Sequence, residues 1–288
     1  KSDPASIGPY TLIARLGSGG MGIVYLASVE NRPVALKIVK GNFLDDASHK
    51  SRFLREITTL SKIKSPFVAP VVDSAVDEDI AWLAVDYVTG PSLLQEVESG
   101  GALKAQLWWE VTLGCLIALA EVHKEKIVHR DVKPANLLLS ETGPKLIDFG
   151  ISQSQDETSL TTTGVVAGSP AWLSPEQLDI GDVSSATDIF SLGSVLVFAA
   201  TGRSPWGDHT SMSVPVVFNK ILSETPDLSA LNKAQRDLVV GMLEKNATKR
   251  PSAEALLERA IASAPELAVA RIATWISLGY LERNIQDP

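Results

Sequence analysis

The chain has 288 residues, 45% of them hydrophobic, enough to bury a substantial core, and this excludes a disordered polypeptide. A formal charge of −8 argues against a surface built to grip nucleic acid or an anionic membrane, so proteins are the expected partners. The single cysteine, Cys115, excludes an internal disulfide and fits a reducing cytoplasmic compartment; it lies in the apolar stretch LGCLIALA and reads as a small core residue.

No stretch reaches the roughly 18 uncharged apolar residues of a membrane span. The longest candidate, SLGSVLVFAA at 191–200, has the length of a buried helix. A start at Lys1, with neither methionine nor a signal-like segment, reads as a piece excised from something longer.

From Tyr10 to Asp86 the runs YTLIARL, IVYLAS, PVALKIV, VAPVVDSAV and IAWLAVDY predict five antiparallel strands, interrupted by a helix over about residues 47–62. After the Gly90-Pro91 turn signal the period changes and helices are predicted at 104–124, 185–201, 214–223, 233–244, 252–262 and 266–282. The expected architecture is therefore α+β. An N-terminal extension (1–9) and a small β-rich lobe with one main helix (10–86) precede a short hinge (87–92). A larger α-helical lobe (93–262) and a C-terminal helical extension (263–288) follow. A cleft is expected at the hinge.

Three signals carry chemistry. LGSGGMGIVY spaces Gly17, Gly19 and Gly22 as G-x-G-x-x-G, with Val24 two residues on. A dinucleotide fold needs that spacing to open a helix, whereas IVYLAS continues as a strand, so the glycines read as a hairpin lying over phosphates or as an ordinary Gly-rich turn. Lys37, on the next strand, is set to meet phosphates. Glu56 lies on the following helix, whose apolar face is Phe53, Ile57 and Leu60, and is set to point toward Lys37; solvated surface charges are the plain alternative for both.

The third signal is HRDVKPAN at 129–136, followed by LIDFG at 146–150. With these motifs the chain resembles protein kinases, over roughly residues 8–262 and in the right order, and implies the bilobal protein kinase fold. The resemblance makes Asp131 the residue that orients the attacking hydroxyl and accepts its proton, and Lys133 the residue that neutralises the γ-phosphate. Lys37 and Glu56 complete the catalytic set. Asn136 and Asp148 supply the hard oxygen ligands that Mg²⁺ requires, with Mn²⁺ as an alternative. The adenine of ATP would lie between Leu16, Val24, Ala35 and Leu138, with Val85 behind it and the Asp86 and Val88 backbones at the hinge. His129 reads as a packing residue. SPEQ at 174–177 resembles the family's A-P-E, so Glu176 is expected to pair with Arg250, while Asp188 is expected to anchor the catalytic loop.

GSGGMG, SPEQ and the Thr-rich loop resemble the actinobacterial branch of bacterial Ser/Thr kinases. Thr161 and Thr163 align with activation-loop phosphosites, whose phosphate Arg130 would pair with. Ser169, Pro170 and Trp172 are candidates for selecting the residue after the target hydroxyl. The family also implies a homodimer through the small lobe and either a cytoplasmic enzyme or the cytoplasmic domain of a membrane-anchored receptor. A pseudokinase and a small-molecule phosphotransferase are the alternatives, but Lys37, Glu56, Asp131, Asn136 and Asp148 are all present, and Lys133 and SPEQ belong to kinases acting on proteins. The helix after residue 264, with Leu267, Ile272, Trp275, Ile276 and Leu278, is expected to pack on the large lobe or to meet a partner.

Overall fold

The computed structural model describes residues 3–19, 22–39, 47–76, 80–150, 170–179, 181–208 and 211–286. The described parts of Lys1–Lys64 and Ala69–Val88 form one compact unit. Ser65–Val68, Thr89–Gly150 and the described residues from 170 onward form the other.

The first unit is an antiparallel sheet of β1 (Ser6–Ile7), β2 (Tyr10–Gly19), β3 (Gly22–Val29), β4 (Arg32–Val39), β5 (Val71–Val76) and β6 (Ala81–Asp86), in the order β1-β2-β3-β4-β6-β5. It has one strand more than the sequence pattern predicts, because Ser6 and Ile7 pair with Thr11 and Tyr10 across a turn at Gly8. β5 also begins three residues later than predicted, after Pro70, which has no N–H for the ladder. One face of the sheet buries Tyr10, Ala27, Val34, Leu36, Trp82 and Ala84. Tyr10 and Trp82 form a T-shaped pair with ring centroids 5.2 Å apart, and the Tyr10 hydroxyl donates to Asp73 Oδ2 at 3.3 Å. Burial, together with the Asp73 carboxylate, pushes the Tyr10 phenol up to about 12. The helix α1 (Ala47–Leu60) packs against β5 and buries Phe53, Ile57 and Leu60, the i, i+4, i+7 stripe that the sequence predicts.

The second unit is built on α3 (Ala105–Lys124) and α5 (Ser185–Thr201), apolar nearly all round and therefore central. Trp108 Nε1 donates to the Leu196 carbonyl at 2.8 Å, satisfying a buried indole across the α3–α5 contact. By length and composition α3 also qualifies as a membrane span, but 67% of that stretch is buried, as in a core helix. Cys115 lies within α3, and burial raises its thiol well above the ordinary range.

The helix α2 (Leu93–Gly100), which the sequence reading omits, is short but capped: Ser92 Oγ accepts from the Gln95 N–H while Gln95 Oε1 accepts from the Ser92 N–H. The hairpin β7 (Leu137–Ser140) and β8 (Gly143–Leu146), the one-turn α4 (Pro175–Leu178), α6 (Val214–Ser223), α7 (Lys233–Met242), α8 (Ala253–Ser263) and α9 (Glu266–Gln286) complete the unit. α9 packs on α3 and buries Ala268, Ile272 and Trp275, while Leu267, Ile276 and Leu278 are exposed.

Two of the motif glycines differ physically. Gly22 has φ +143°, and a Cβ there would stand 1.9 Å from the Ile38 carbonyl oxygen; a Cβ on Gly17 would meet nothing within 4 Å. Gly22→Ala is expected to destabilise the chain by about 2–4 kcal/mol, and Gly17→Ala by less than about 1 kcal/mol, in urea titrations followed by fluorescence. Equal losses would show that the hairpin tolerates a Cβ at Gly22.

Candidate active site

The first unit gathers its candidate residues by strand register. Directly opposed residues share a face, and so do residues two apart along a strand. Gly17 opposes Val24, Val24 opposes Lys37 and Lys37 opposes Leu83; one step along, Ala35 opposes Val85. Gly17, Val24, Ala35, Lys37 and Val85 therefore share the face opposite the Tyr10–Trp82 core. Leu16 is exposed on β2 and Gly19 ends that strand. The open space beside Gly17 is compatible with a ligand lying close to the backbone, whereas the fold itself demands a glycine at position 22.

Glu56 is half-buried on α1, beside Ile57. Asp86 ends β6; its N–H donates to the Pro70 carbonyl at 3.0 Å, and its carboxylate accepts from Arg32 at 2.5 Å. Val88 is the last residue of this unit.

In the second unit the HRD segment is pinned from below by Asp188. This carboxylate, with no solvent exposure, sits in the first turn of α5 and accepts from the His129 N–H, the Arg130 N–H and His123 Nε2, each at 2.8 Å. These bonds hold Arg130 at φ +67°, a left-handed conformation that costs a non-glycine residue roughly 1–2 kcal/mol. His129 is fully buried. Its Nε2 donates to the Ile147 carbonyl at 3.0 Å and its Nδ1 accepts from the Asp131 N–H at 3.3 Å, so the ring is the neutral Nε2–H tautomer. Burial lowers its pKa, against the opposing pull of Asp188 and Asp131.

On this base, Lys133 Nζ lies 2.7 Å from Asp131 Oδ2, and Asn136 Nδ2 donates to the same oxygen and to the Asp131 carbonyl, each at 2.9 Å. Among the described residues the contacts to the Asp131 carboxylate fall on Oδ2, and its Oδ1 accepts no hydrogen bond from them. Both amide hydrogens of Asn136 are committed, which orients its Oδ1 as a donor atom for a cation. Asp148, half-buried at φ +59°, follows Ile147, whose N–H donates to the Asn136 carbonyl at 3.0 Å. An amide oxygen and a carboxylate on linked backbones are the hard ligands that suit Mg²⁺. The Phe149 ring lies tilted by 39° against His129 with ring centroids 4.3 Å apart, and the Gly150 N–H closes the turn onto the His129 carbonyl. Leu138 lies on β7, in a bridge with Ser92.

The SPEQ segment forms α4. Glu176 takes a two-pronged pair from Arg250 at 2.7 and 2.8 Å, and Thr187 donates to it at 2.8 Å. The remaining Arg250 donors go to the Glu244, Ala186 and Lys245 carbonyls, so all five N–H groups of this buried guanidinium are satisfied. Burial alone would raise the Glu176 carboxyl, but Arg250 and the other donors hold it below the ordinary glutamate value of 4.5. Gln177, which sequence reasoning passes over, caps α4 through Ser174 and donates from Nε2 to the Arg130 carbonyl at 3.0 Å, tying α4 to the HRD segment. Its signal is the S-x-x-Q spacing of a capping box; His123 gives no comparable signal.

Trp172 is buried and forms a T-shaped pair with Phe198, ring centroids 5.4 Å apart. Thr161, Thr163 and Ser169 lie outside the described residues.

A family described as protein kinase domain matches residues 10–261. The chain belongs to the protein kinase family. It is 43% identical over 252 residues to serine/threonine-protein kinase AfsK of Streptomyces coelicolor, covering 87% of this chain and 31% of that protein. It is 40% identical over 256 residues to the probable serine/threonine-protein kinase PkwA of Thermomonospora curvata, covering 88% and 34% respectively. To serine/threonine-protein kinase PrkC of Bacillus subtilis it is 32% identical over 247 residues, covering 85% and 38%. The chain thus spans about a third of the length of these curated relatives.

Asp188→Asn is expected to leave an amide facing buried N–H donors and to cost about 2–4 kcal/mol in denaturant titration; a cost below about 1 kcal/mol would mean the loop does not depend on this carboxylate. Glu176 has a depressed folded pKa, so its contribution is present above 4.5 and is lost as pH falls below that value. The stability gap between wild type and Glu176→Gln should be full at neutral pH and shrink on acidification below pH 4.5. A gap independent of pH would contradict the pairing.

Proposed function

We propose that this kinase domain is an active Ser/Thr protein kinase that transfers the γ-phosphoryl group of ATP to protein hydroxyls. The carrying observation is Asp131, fixed through one carboxylate oxygen by Lys133 and Asn136 while, among the described residues, the other accepts no bond and would take the proton of a substrate hydroxyl. In this reading the hydroxyl oxygen bonds to the γ-phosphorus, its proton passes to Asp131 Oδ1, and the bond from the γ-phosphorus to the β–γ bridging oxygen breaks, releasing ADP. Lys133 neutralises charge on the transferred group. Asn136 and Asp148 would hold Mg²⁺, or Mn²⁺ in its place, which when bound offsets the negative charge of the phosphates. Lys37, held by Glu56, would bind the phosphates under the Gly17–Gly22 hairpin. Adenine would pack on Leu16, Val24, Ala35, Val85 and Leu138 and bond the Asp86 and Val88 backbones.

The reading extends to the domain limits given by the sequence, 10–86, 87–92 and 93–262, and to a cytoplasmic location. It also includes autophosphorylation of Thr161 and Thr163, with Arg130 pairing the new phosphate, and a dimer through the first unit that permits one copy to modify another. The names of the relatives, all serine/threonine-protein kinases, support the choice of hydroxyl substrate.

The test is transfer of labelled γ-phosphate, with Mg²⁺, to the chain itself and to a generic basic protein. Asp131→Asn should lower the rate by about 10²–10⁴-fold with ATP binding retained, and Thr161→Ala with Thr163→Ala should lower self-labelling. ATP binding without label in the wild type would turn the reading into that of a pseudokinase.

A further inference from the structure

α9 begins beyond the matched family region, which ends at residue 261, yet it is built into the strands that lead to the metal-binding loop. Its buried positions Ala268, Ile272, Trp275 and Gly279 repeat at i, i+4, i+7 and i+11, a single stripe along one face. Trp275 is the centre of that stripe. Its indole N–H donates to the Glu141 carbonyl at 3.0 Å, and Arg271 stacks over the ring at 5.3 Å. The ring covers Gly143 so closely that a Cβ there would lie 2.8 Å from it.

One turn further along, a Cβ on Gly279 would come within 2.5 Å of the Pro66 side chain. Phe67, next in the chain, also borders Gly143, and its carbonyl accepts from the Leu146 N–H at 2.8 Å. α9 thus touches two of the strands of contact that hold β8: the turn at its start and the Pro66–Phe67 segment along its side. From β8 the backbone runs through Ile147, bonded to the Asn136 carbonyl, into Asp148.

We propose that α9 is a brace for the metal-binding loop and that Trp275 is its positioning residue, holding β8 and thereby the backbone that presents Asp148. This rests on reading Asp148 as a metal ligand. Tight packing at two glycines with no room for a methyl group transmits displacement and does not absorb it. A bare surface helix would not need a satisfied indole, two close-approach glycines and a carbonyl of the β7–β8 turn.

The test uses the whole chain with Trp275→Ala and Trp275→Phe, the latter keeping a ring on Gly143 while removing the bond to Glu141. Amide hydrogen exchange is read at Leu146 and Ile147 and, as an internal reference, at Val195 and Leu196 in α5. Nucleotide affinity is measured by calorimetry with and without Mg²⁺. In Trp275→Ala, exchange at Leu146 and Ile147 should rise at least about tenfold with the α5 amides unchanged, and the Mg²⁺-dependent part of nucleotide affinity should fall about tenfold. Trp275→Phe should give about a fivefold rise in exchange, the worth of one hydrogen bond, and decides the matter if the alanine variant does not fold.

An equal rise at all four amides would reduce Trp275 to general stability, and no rise would remove the brace; either overturns the proposal. A wild type whose nucleotide affinity ignores Mg²⁺ would instead overturn the reading of Asp148, while the amide pattern would still decide whether the brace exists.

Discussion

The buried carboxylate of Asp188 is the point from which the second unit's chemistry is organised. A charge taken wholly out of water is tolerated only if its lone pairs are filled, and here they are filled by two backbone N–H groups of the HRD segment and by the His123 ring. The same bonds hold Arg130 in a left-handed conformation. That bend lies one residue before Asp131, in the loop where Lys133 and Asn136 bond its carboxylate. Core helix and reactive loop are thereby one mechanical piece.

A second network joins α4 to that piece. Gln177 bonds the Arg130 carbonyl, Glu176 bonds Arg250 and Thr187, and Thr187 stands next to Asp188 on α5. Arg250, with five donors satisfied and its cation 4.8 Å from the Phe190 ring, fills its site without an unpaired proton. α4 and the HRD segment are thereby tied to each other and to α5.

In the first unit the organising constraint is strand alternation. One face needs Val34, Leu36 and Ala84 for its core, so the intervening residues Ala35, Lys37 and Val85 are delivered to the other face. A lysine flanked by small and branched apolar residues on that face is the product of period-2 geometry, which assigns it there through strand register alone.

The sequence by itself determined the fold class, the family, the limits of most long elements and the residue types of the catalytic loop, because these depend on local periodicity and on motifs whose order in the chain is informative. It anticipated α1 and α5 to within a few residues, since their apolar stripes or continuous apolar runs have one reading. It did not reveal α2, whose signal is only a capping box over eight residues, nor the late start of β5, where Pro70 removes a donor from an otherwise strand-like run. Only the tertiary structure decided that Gln177 and His123 serve the HRD segment, that Trp172 packs inward on Phe198, and that α9 turns Trp275 onto Gly143 while leaving Leu267 in solvent. Each of these pairs residues tens of positions or more apart in the chain, and such pairing is set by how elements pack, which no single segment's period encodes.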